Sequence, residues 1–305
     1  MKKIILVNVF FIFIILAVWN FVVYYNDYMT MPDVSSIEAI KSYKKFMTRD
    51  ISAEDTKLKL VLEPDIRPVV NKTSKKLPIV IFGCSFAYGT GLEESQTMSS
   101  VLGKYTGRPI YNRAQGGLGV QHMLYQLQQK EFYKIVPEPE YVIYLNFGGH
   151  HSRMYAPVCL FCPICYTAFY KYNQKSHTFA LKKRNFLNNK FIVFYPMIDY
   201  VIHYLRGENK AYASFLDNQL IDYILASKKE INKHYPKAKL VVFLYDEPFT
   251  DFFTEKLKKE GVYIIDKSDY KIDPYENKYR LEDGHPSALF WETVTPIIVK
   301  KLNEI

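Results

Sequence analysis

Four short segments of this 305-residue chain hold the residue types that nucleophilic catalysis needs. In Gly83-Cys84-Ser85-Phe86-Ala87-Tyr88-Gly89 a serine directly follows an apolar run, with a glycine on either side. A serine at a strand-to-helix turn presents its hydroxyl at the edge of a sheet, and nearby glycines permit the tight backbone this requires. Ala87 departs from the G-x-S-x-G elbow, so the turn is of another kind. Near the carboxyl end, Glu282-Asp283-Gly284-His285-Pro286 places an imidazole two residues after a carboxylate. Such a histidine can take a proton from a hydroxyl while the carboxylate orients its ring. Asn112-Arg113-Ala114-Gln115-Gly116-Gly117-Leu118-Gly119 follows a second apolar run and offers backbone N–H groups to an anion. Asn146-Phe147-Gly148-Gly149-His150-His151-Ser152-Arg153 follows a third, and a histidine there can donate to a developing oxyanion. Each segment alone has a plainer explanation as a helix-capping serine, a glycine-rich turn, a surface turn or a helix start.

These groups need elements to position them. Residues 77–82, 141–145, 239–244 and 262–265 are continuous apolar runs, with a shorter one at 109–111. Runs of this kind predict strands buried on both faces. Between them, residues 119–132 carry Met123, Leu124 and Leu127 on one helical face, and residues 211–234 carry Leu216, Leu220, Ile224 and Ile231. Residues 287–302 predict a closing helix, and residues 35–46 an earlier one capped by Ser36. Strands alternating with helices predict a parallel sheet covered on both faces. In such sheets the active residues lie just beyond the carboxyl ends of strands, so those positions are the place to search.

Taken in order, the four segments resemble the conserved blocks of the SGNH/GDSL hydrolase family. Gly83–Gly89 is similar to its Gly-Asp-Ser-Phe nucleophile block, and Asn112–Gly117 to the block whose glycine supplies an oxyanion N–H. Phe147–His151 falls where the family has Gly-x-Asn-Asp, and Asp283-Gly-His-Pro286 resembles its closing Asp–His block. The resemblance runs from Leu77 to the end, apart from a poorly matching stretch at about 154–212. It implies a three-layer α/β/α sandwich with a mostly parallel, flavodoxin-like sheet. It also implies Ser85 as nucleophile, His285 as general base and Asp283 as the orienting acid. The oxyanion hole would be the N–H groups of Ser85 and Gly117 together with His150. Attack of Ser85 on an ester carbonyl would give an acyl-serine, released to water or to a sugar hydroxyl, with neither metal nor organic cofactor. Three departures stand out: Cys84 occupies the family's Asp position, His150 stands for its Asn, and the Asp–His spacing is two. Glu282, at the three-residue spacing, is the reserve orienting acid.

The amino terminus sets the expected location. Lys2 and Lys3 precede an uncharged, apolar run from Ile4 to Asn26, long enough to cross a bilayer, with Trp19, Tyr24 and Tyr25 near its far end. Positive charge on the short leading side predicts a cytoplasmic start and an extracytoplasmic remainder. No small-x-small site closes the run, which favours an uncleaved anchor over a signal peptide. The expected organisation is an anchor at 1–26, a stalk and lead-in at 27–76, and a hydrolase-like domain at 77–305 with an insertion at 154–212.

Composition narrows the partners. The net charge is +9, but the lysines are scattered and form no basic stripe of a nucleic-acid module, so no nucleic-acid partner is expected. Cys159, Cys162 and Cys165 lack a fourth ligand at a zinc-finger spacing, which ranks structural or disulfide use above a metal. The expected substrate is an acylated glycan or lipid of the cell envelope, reached from the membrane. Two rival readings remain: a non-catalytic binding or assembly module on the same scaffold, and a phosphate-handling protein that would leave Asp283 and His285 without a role.

Overall fold

The computed structural model describes residues 67–116, 119–148, 150, 169–173, 178–182, 210–246 and 251–305. The expected anchor, the stretch at 35–46, Gly117, His151, Arg153 and the three clustered cysteines lie outside the described residues. Among the described residues no helix is long and apolar enough to cross a membrane.

Each predicted run forms a strand. They are β1 (Ile79–Phe82), β2 (Ile110–Asn112), β3 (Tyr141–Asn146), β6 (Lys239–Leu244) and β7 (Tyr263–Ile265), paired in the order β2-β1-β3-β6-β7. Every pairing in this sheet is parallel, with Ile79 opposite both Ile110 and Tyr141, and Tyr141 opposite Lys239. Two further strands, β4 (Phe169–Asn173) and β5 (Thr178–Lys182), form an antiparallel hairpin within the insertion. The ring of Phe179 in β5 stacks on Tyr223 at 4.0 Å, which seats the hairpin against the sheet's helical cover.

Burial on both faces explains why the central strands are apolar without alternation. Val80, Phe82, Val142, Tyr144, Val242 and Leu244 point to one side. There they meet α3 (Val120–Leu127), α4 (Phe132–Ile135), α5 (Lys210–His234) and α6 (Asp251–Lys259). Ile79, Ile81, Ile143, Leu145, Val241 and Phe243 point to the other, against α2 (Met98–Thr106), α7 (Lys267–Tyr270) and α8 (Ala288–Asn303). A short α1 (Ser85–Tyr88) sits at the end of β1. The result is a three-layer α/β/α sandwich. Each fully buried Leu, Ile or Phe in it contributes about 1.5–3 kcal/mol.

Helix ends follow local chemistry. Thr97 Oγ1 accepts the Ser100 N–H to start α2, and Ser287 caps α8 through the Phe290 N–H. The helix expected over 119–132 is interrupted. It stops at Leu127, and Phe132 restarts as α4 with its ring 5.8 Å from Phe82. Packing a large ring into the core outweighs continuing the helix. Residues 67–76, expected as lead-in, join the domain: Val70 exchanges backbone hydrogen bonds with Ile110 on the open edge of β2.

Gly83 ends β1 with φ +153°. A methyl group there would lie 2.9 Å from Ala87 Cβ and 3.2 Å from the Leu145 carbonyl. The turn that carries Ser85 thus lies flat against β3 because no side chain intervenes. Gly83→Ala is expected to destabilise the protein by about 2 kcal/mol through overpacking and backbone strain, read as a lower urea midpoint with an unchanged m-value.

Candidate active site

Ser85 begins α1, separated from the end of β1 by Gly83 and Cys84, and is half-buried. Its own carbonyl accepts the N–H groups of Gly89 and Thr90, at 2.9 and 3.0 Å, which closes the short helix into a compact turn. Two outside groups fix that turn. Asn112, at the end of β2, donates to the Ala87 carbonyl at 2.8 Å and to Ser99 Oγ at 3.2 Å. Arg67 spreads its guanidinium over three carbonyls: Tyr88 at 3.1 Å, Gly89 at 2.8 Å and Leu92 at 3.3 Å. The same group bonds Glu94 at 3.0 Å and lies over the Tyr88 ring at 4.6 Å. A planar fork of five donors suits this task, and a positive charge suits the carboxyl end of a helix.

His285 and Asp283 are paired. Nδ1 of His285 lies 2.9 Å from Asp283 Oδ2, and the His285 N–H donates to Oδ1 at 3.0 Å. The 2.9 Å separation puts the imidazole and the carboxylate in contact, although the ring nitrogen is not aimed well enough at Oδ2 to count as a hydrogen bond. The pair rides on a closed turn, since the Leu281 N–H donates to the His285 carbonyl at 2.8 Å and Arg280 bridges Pro286. Partial burial pushes the Asp283 carboxyl upward. The His285 N–H, its ring and its charge outweigh that and hold the group below its ordinary value of 3.8.

Aromatic contacts join these pieces. Phe86, next in the chain to Ser85, meets the His285 ring edge-on at 5.3 Å. It stacks on Phe147 at 4.8 Å, and Phe147 meets His150 edge-on at 4.7 Å. The turns after β1 and β3 and the turn before α8 therefore share one edge of the sheet. The Gln115 N–H donates to the Gly83 carbonyl at 3.3 Å, which draws the loop after β2 to the same edge.

His150 is 0% exposed. Its Nδ1 lies 2.6 Å from the Tyr144 hydroxyl and 3.0 Å from Asn146 Oδ1. The Asn146 oxygen only accepts, whereas the Tyr144 hydroxyl can donate or accept, so the two contacts admit either tautomer. A Tyr144 hydroxyl donating to Nδ1 leaves the proton on Nε2, the form an oxyanion donor needs, whereas Nδ1–H donating to Asn146 leaves Nε2 an acceptor. Arg113, from the glycine-containing segment, is buried with Nε donating to Gln126 at 2.9 Å and its guanidinium over Phe132. It serves the packing between sheet and α3. Cys84 is buried. Among the described residues no cluster of His, Cys, Asp and Glu has a metal-binding arrangement.

Sequence reasoning missed Arg67, Phe86, Asp246, Tyr275 and Arg280. Asp246 follows β6 by two residues, so the search beyond strand ends was the signal that could have found it. Arg67 lies in a mixed polar stretch and gave none.

No protein-family model matches the chain, and a search of curated proteins finds no match. Solved structures resemble it at low identity. One is a G-D-S-L family lipolytic protein of Desulfitobacterium hafniense, described as putative, with 11% identity, 74% of this chain and 99% of that chain covered, and a TM-score of 0.45. A lipase from a goat rumen metagenome gives 10% identity, coverage of 74% and 97%, and a TM-score of 0.48. An acetyl xylan esterase of Butyrivibrio proteoclasticus gives 10% identity, coverage of 76% and 64%, and a TM-score of 0.42. Likenesses this distant do not assign an activity, which has to come from the site itself.

Two outcomes are expected from this geometry. Arg67→Ala should cost about 2 kcal/mol of stability, because buried carbonyls lose a charged donor. Arg67→Lys should recover little of it, since one ammonium cannot reach three carbonyls and Glu94 together; urea titration of the three proteins checks both. A carboxyl depressed in the folded state contributes stability above its unfolded value and loses it as pH falls through the folded one. The wild type should therefore melt slightly above Asp283→Asn near neutral pH, with the gap closing below about pH 4, as scanning calorimetry across pH would reveal.

Proposed function

We propose that this chain is a serine ester hydrolase of the SGNH kind. The observation that carries the reading is the Asp283–His285 pair at the edge of a parallel sheet, with the His285 ring against Phe86, the neighbour of Ser85. A serine, an imidazole and a carboxylate drawn to one sheet edge from distant parts of the chain are the parts of acyl transfer.

The chemistry runs in two halves. His285 faces Asp283 through Nδ1, which leaves Nε2 to take the Ser85 proton as the hydroxyl oxygen attacks the ester carbonyl. The oxyanion is held by the N–H groups of Ser85 and Gly117, with His150 as a side-chain donor in its Nε2–H tautomer. Collapse expels the alcohol, which receives its proton from His285, and leaves acyl-Ser85. Water deprotonated by His285 then attacks the acyl carbon and releases the acid. A sugar hydroxyl in place of that water gives O-acyl transfer by the same steps. The electron flow needs no metal or redox cofactor.

The substrate class follows from location. Lys2, Lys3 and the apolar run to Asn26 support a single amino-terminal anchor with the catalytic domain outside the cytoplasm. There the acyl esters within reach are those of envelope glycans and lipids, and acetyl groups on a polysaccharide are the preferred case. The net charge of +9 favours an acidic polymer. A second reading is favoured by the complete burial of His150: a binding or assembly module that has kept the scaffold without turnover.

The full-length chain in detergent, treated with a fluorophosphonate probe, is expected to label at Ser85, with labelling abolished in Ser85→Ala. His285→Ala should lower kcat/KM for p-nitrophenyl acetate by about 10³- to 10⁴-fold. A folded wild type that neither labels nor hydrolyses would overturn the hydrolase reading in favour of the binding module.

A further inference from the structure

Asp246 lies beyond the end of β6, is almost fully buried, and belongs to none of the four segments read as chemical. Its position is fixed from several sides. The Tyr245 N–H extends the β3–β6 pairing by donating to the Asn146 carbonyl at 2.8 Å, and the Tyr270 hydroxyl donates to the Leu244 and Tyr245 carbonyls at 3.1 and 2.7 Å. The backbone that carries Asp246 is therefore part of the rigid sheet.

The carboxylate spans two loops. Oδ1 accepts the Gly148 N–H at 2.8 Å, and Oδ2 accepts the Tyr275 hydroxyl. Gly148 lies inside the turn closed by the His150 N–H on the Phe147 carbonyl, so Asp246 holds the turn that presents both Phe147 and His150. On the other side, the Tyr275 ring lies under the Arg280 guanidinium at 5.3 Å. Arg280 in turn fills the space beneath Gly284, where a methyl group would meet its Nη2 at 2.8 Å. Gly284 is the residue between Asp283 and His285. A buried carboxylate costs more to desolvate than an apolar side chain of its size, so its presence calls for a geometric reason.

We infer that Asp246 is a positioning residue, which acts through Gly148 and through Tyr275 and Arg280 to hold the His150 turn and the Asp283–His285 turn in register across the site. The inference rests on the hydrolase reading. Ground-state binding of a small ester depends little on this register. The transition state depends on it strongly, since a displacement of about 1 Å can cost about 100-fold in rate.

The test compares full-length wild type, Asp246→Ala, Asp246→Asn and Tyr275→Phe with p-nitrophenyl acetate, alongside thermal melting and fluorophosphonate labelling rate. Asp246→Ala is expected to lose about 100-fold in kcat and in labelling rate with KM within about threefold, as misplacement without lost binding predicts. Asp246→Asn keeps an oxygen for the Gly148 N–H and an amide for Tyr275, and should recover most of the rate. Tyr275→Phe should lower kcat by about tenfold, because it uncouples one loop and leaves the other held. An active wild type with Asp246→Ala folded and unchanged in kcat, or impaired only in KM, overturns the positioning role and leaves the hydrolase reading standing. A folded but unrescued Asp246→Asn overturns the register account, because charge would then be what matters. If Asp246→Ala does not fold, Tyr275→Phe decides: an unchanged kcat overturns the inference. A folded wild type inert in both assays overturns the hydrolase reading first, and this inference with it.

Discussion

β1 is hydrogen-bonded along both of its sides, to β2 and to β3, and the arrangement of the site depends on that constraint. The chain leaves β1, forms β2 on one flank, and then crosses to form β3 on the other. Loops leaving β1 and β3 must diverge to opposite faces of the sheet, which opens a crevice beyond their carboxyl ends. Ser85 follows β1 and Gly148 follows β3, so both rims of that crevice come from strands that are direct neighbours. Register transmits the constraint: Phe82 is opposite Tyr144, and the Leu145 carbonyl comes close to Gly83.

The polar groups at this edge are there to hold loops, and they are satisfied in a graded way. Asn112 and Arg67 satisfy backbone carbonyls of the turn that carries Ser85. Asp246 satisfies a backbone N–H of the β3 turn. The Asp283–His285 turn is closed by its own backbone and then leans on Phe86 through ring contact. Three loops that share no sequence are thus fixed by three kinds of force: charge-assisted hydrogen bonds, a tight turn, and aromatic packing.

The two buried layers set how rigid this edge is. On one side Phe243, Tyr270, Phe290 and Trp291 pack ring against ring beneath the Asp283–His285 turn, with Phe290 and Trp291 centroids 4.9 Å apart. Tyr245 extends the stack to Phe86 at 4.9 Å. His285 is therefore joined through Phe86 and Tyr245 to a column of rings that reaches Phe243 in the sheet. The opposite layer carries α3 and α5, and its buried polar pair Arg113–Gln126 ties the loop after β2 to α3.

The sequence alone determined what depends on local pattern. Continuous apolar runs such as Ile79–Phe82 and Lys239–Leu244 read as buried strands, and the spacing of Leu220, Ile224 and Ile231 read as one helical face, because burial on two faces or on one leaves a periodic trace. The places of Ser85 after β1 and of the Asp283–His285 pair before α8 were legible for the same reason: each lies beside a turn signal. Tertiary structure alone decided what depends on who faces whom. Arg67 is one cation among 40 Lys and Arg residues until the fold lays it over the end of α1. Asp246 becomes a clamp only because β6 pairs with β3 and brings its carboxylate to Gly148, 98 residues away in sequence. His150 reads as a candidate oxyanion donor in the chain and is fully enclosed in the fold. Contacts between distant segments leave no periodicity to read, since their free energy belongs to the pair and to the sheet that aligns it, and to neither segment by itself.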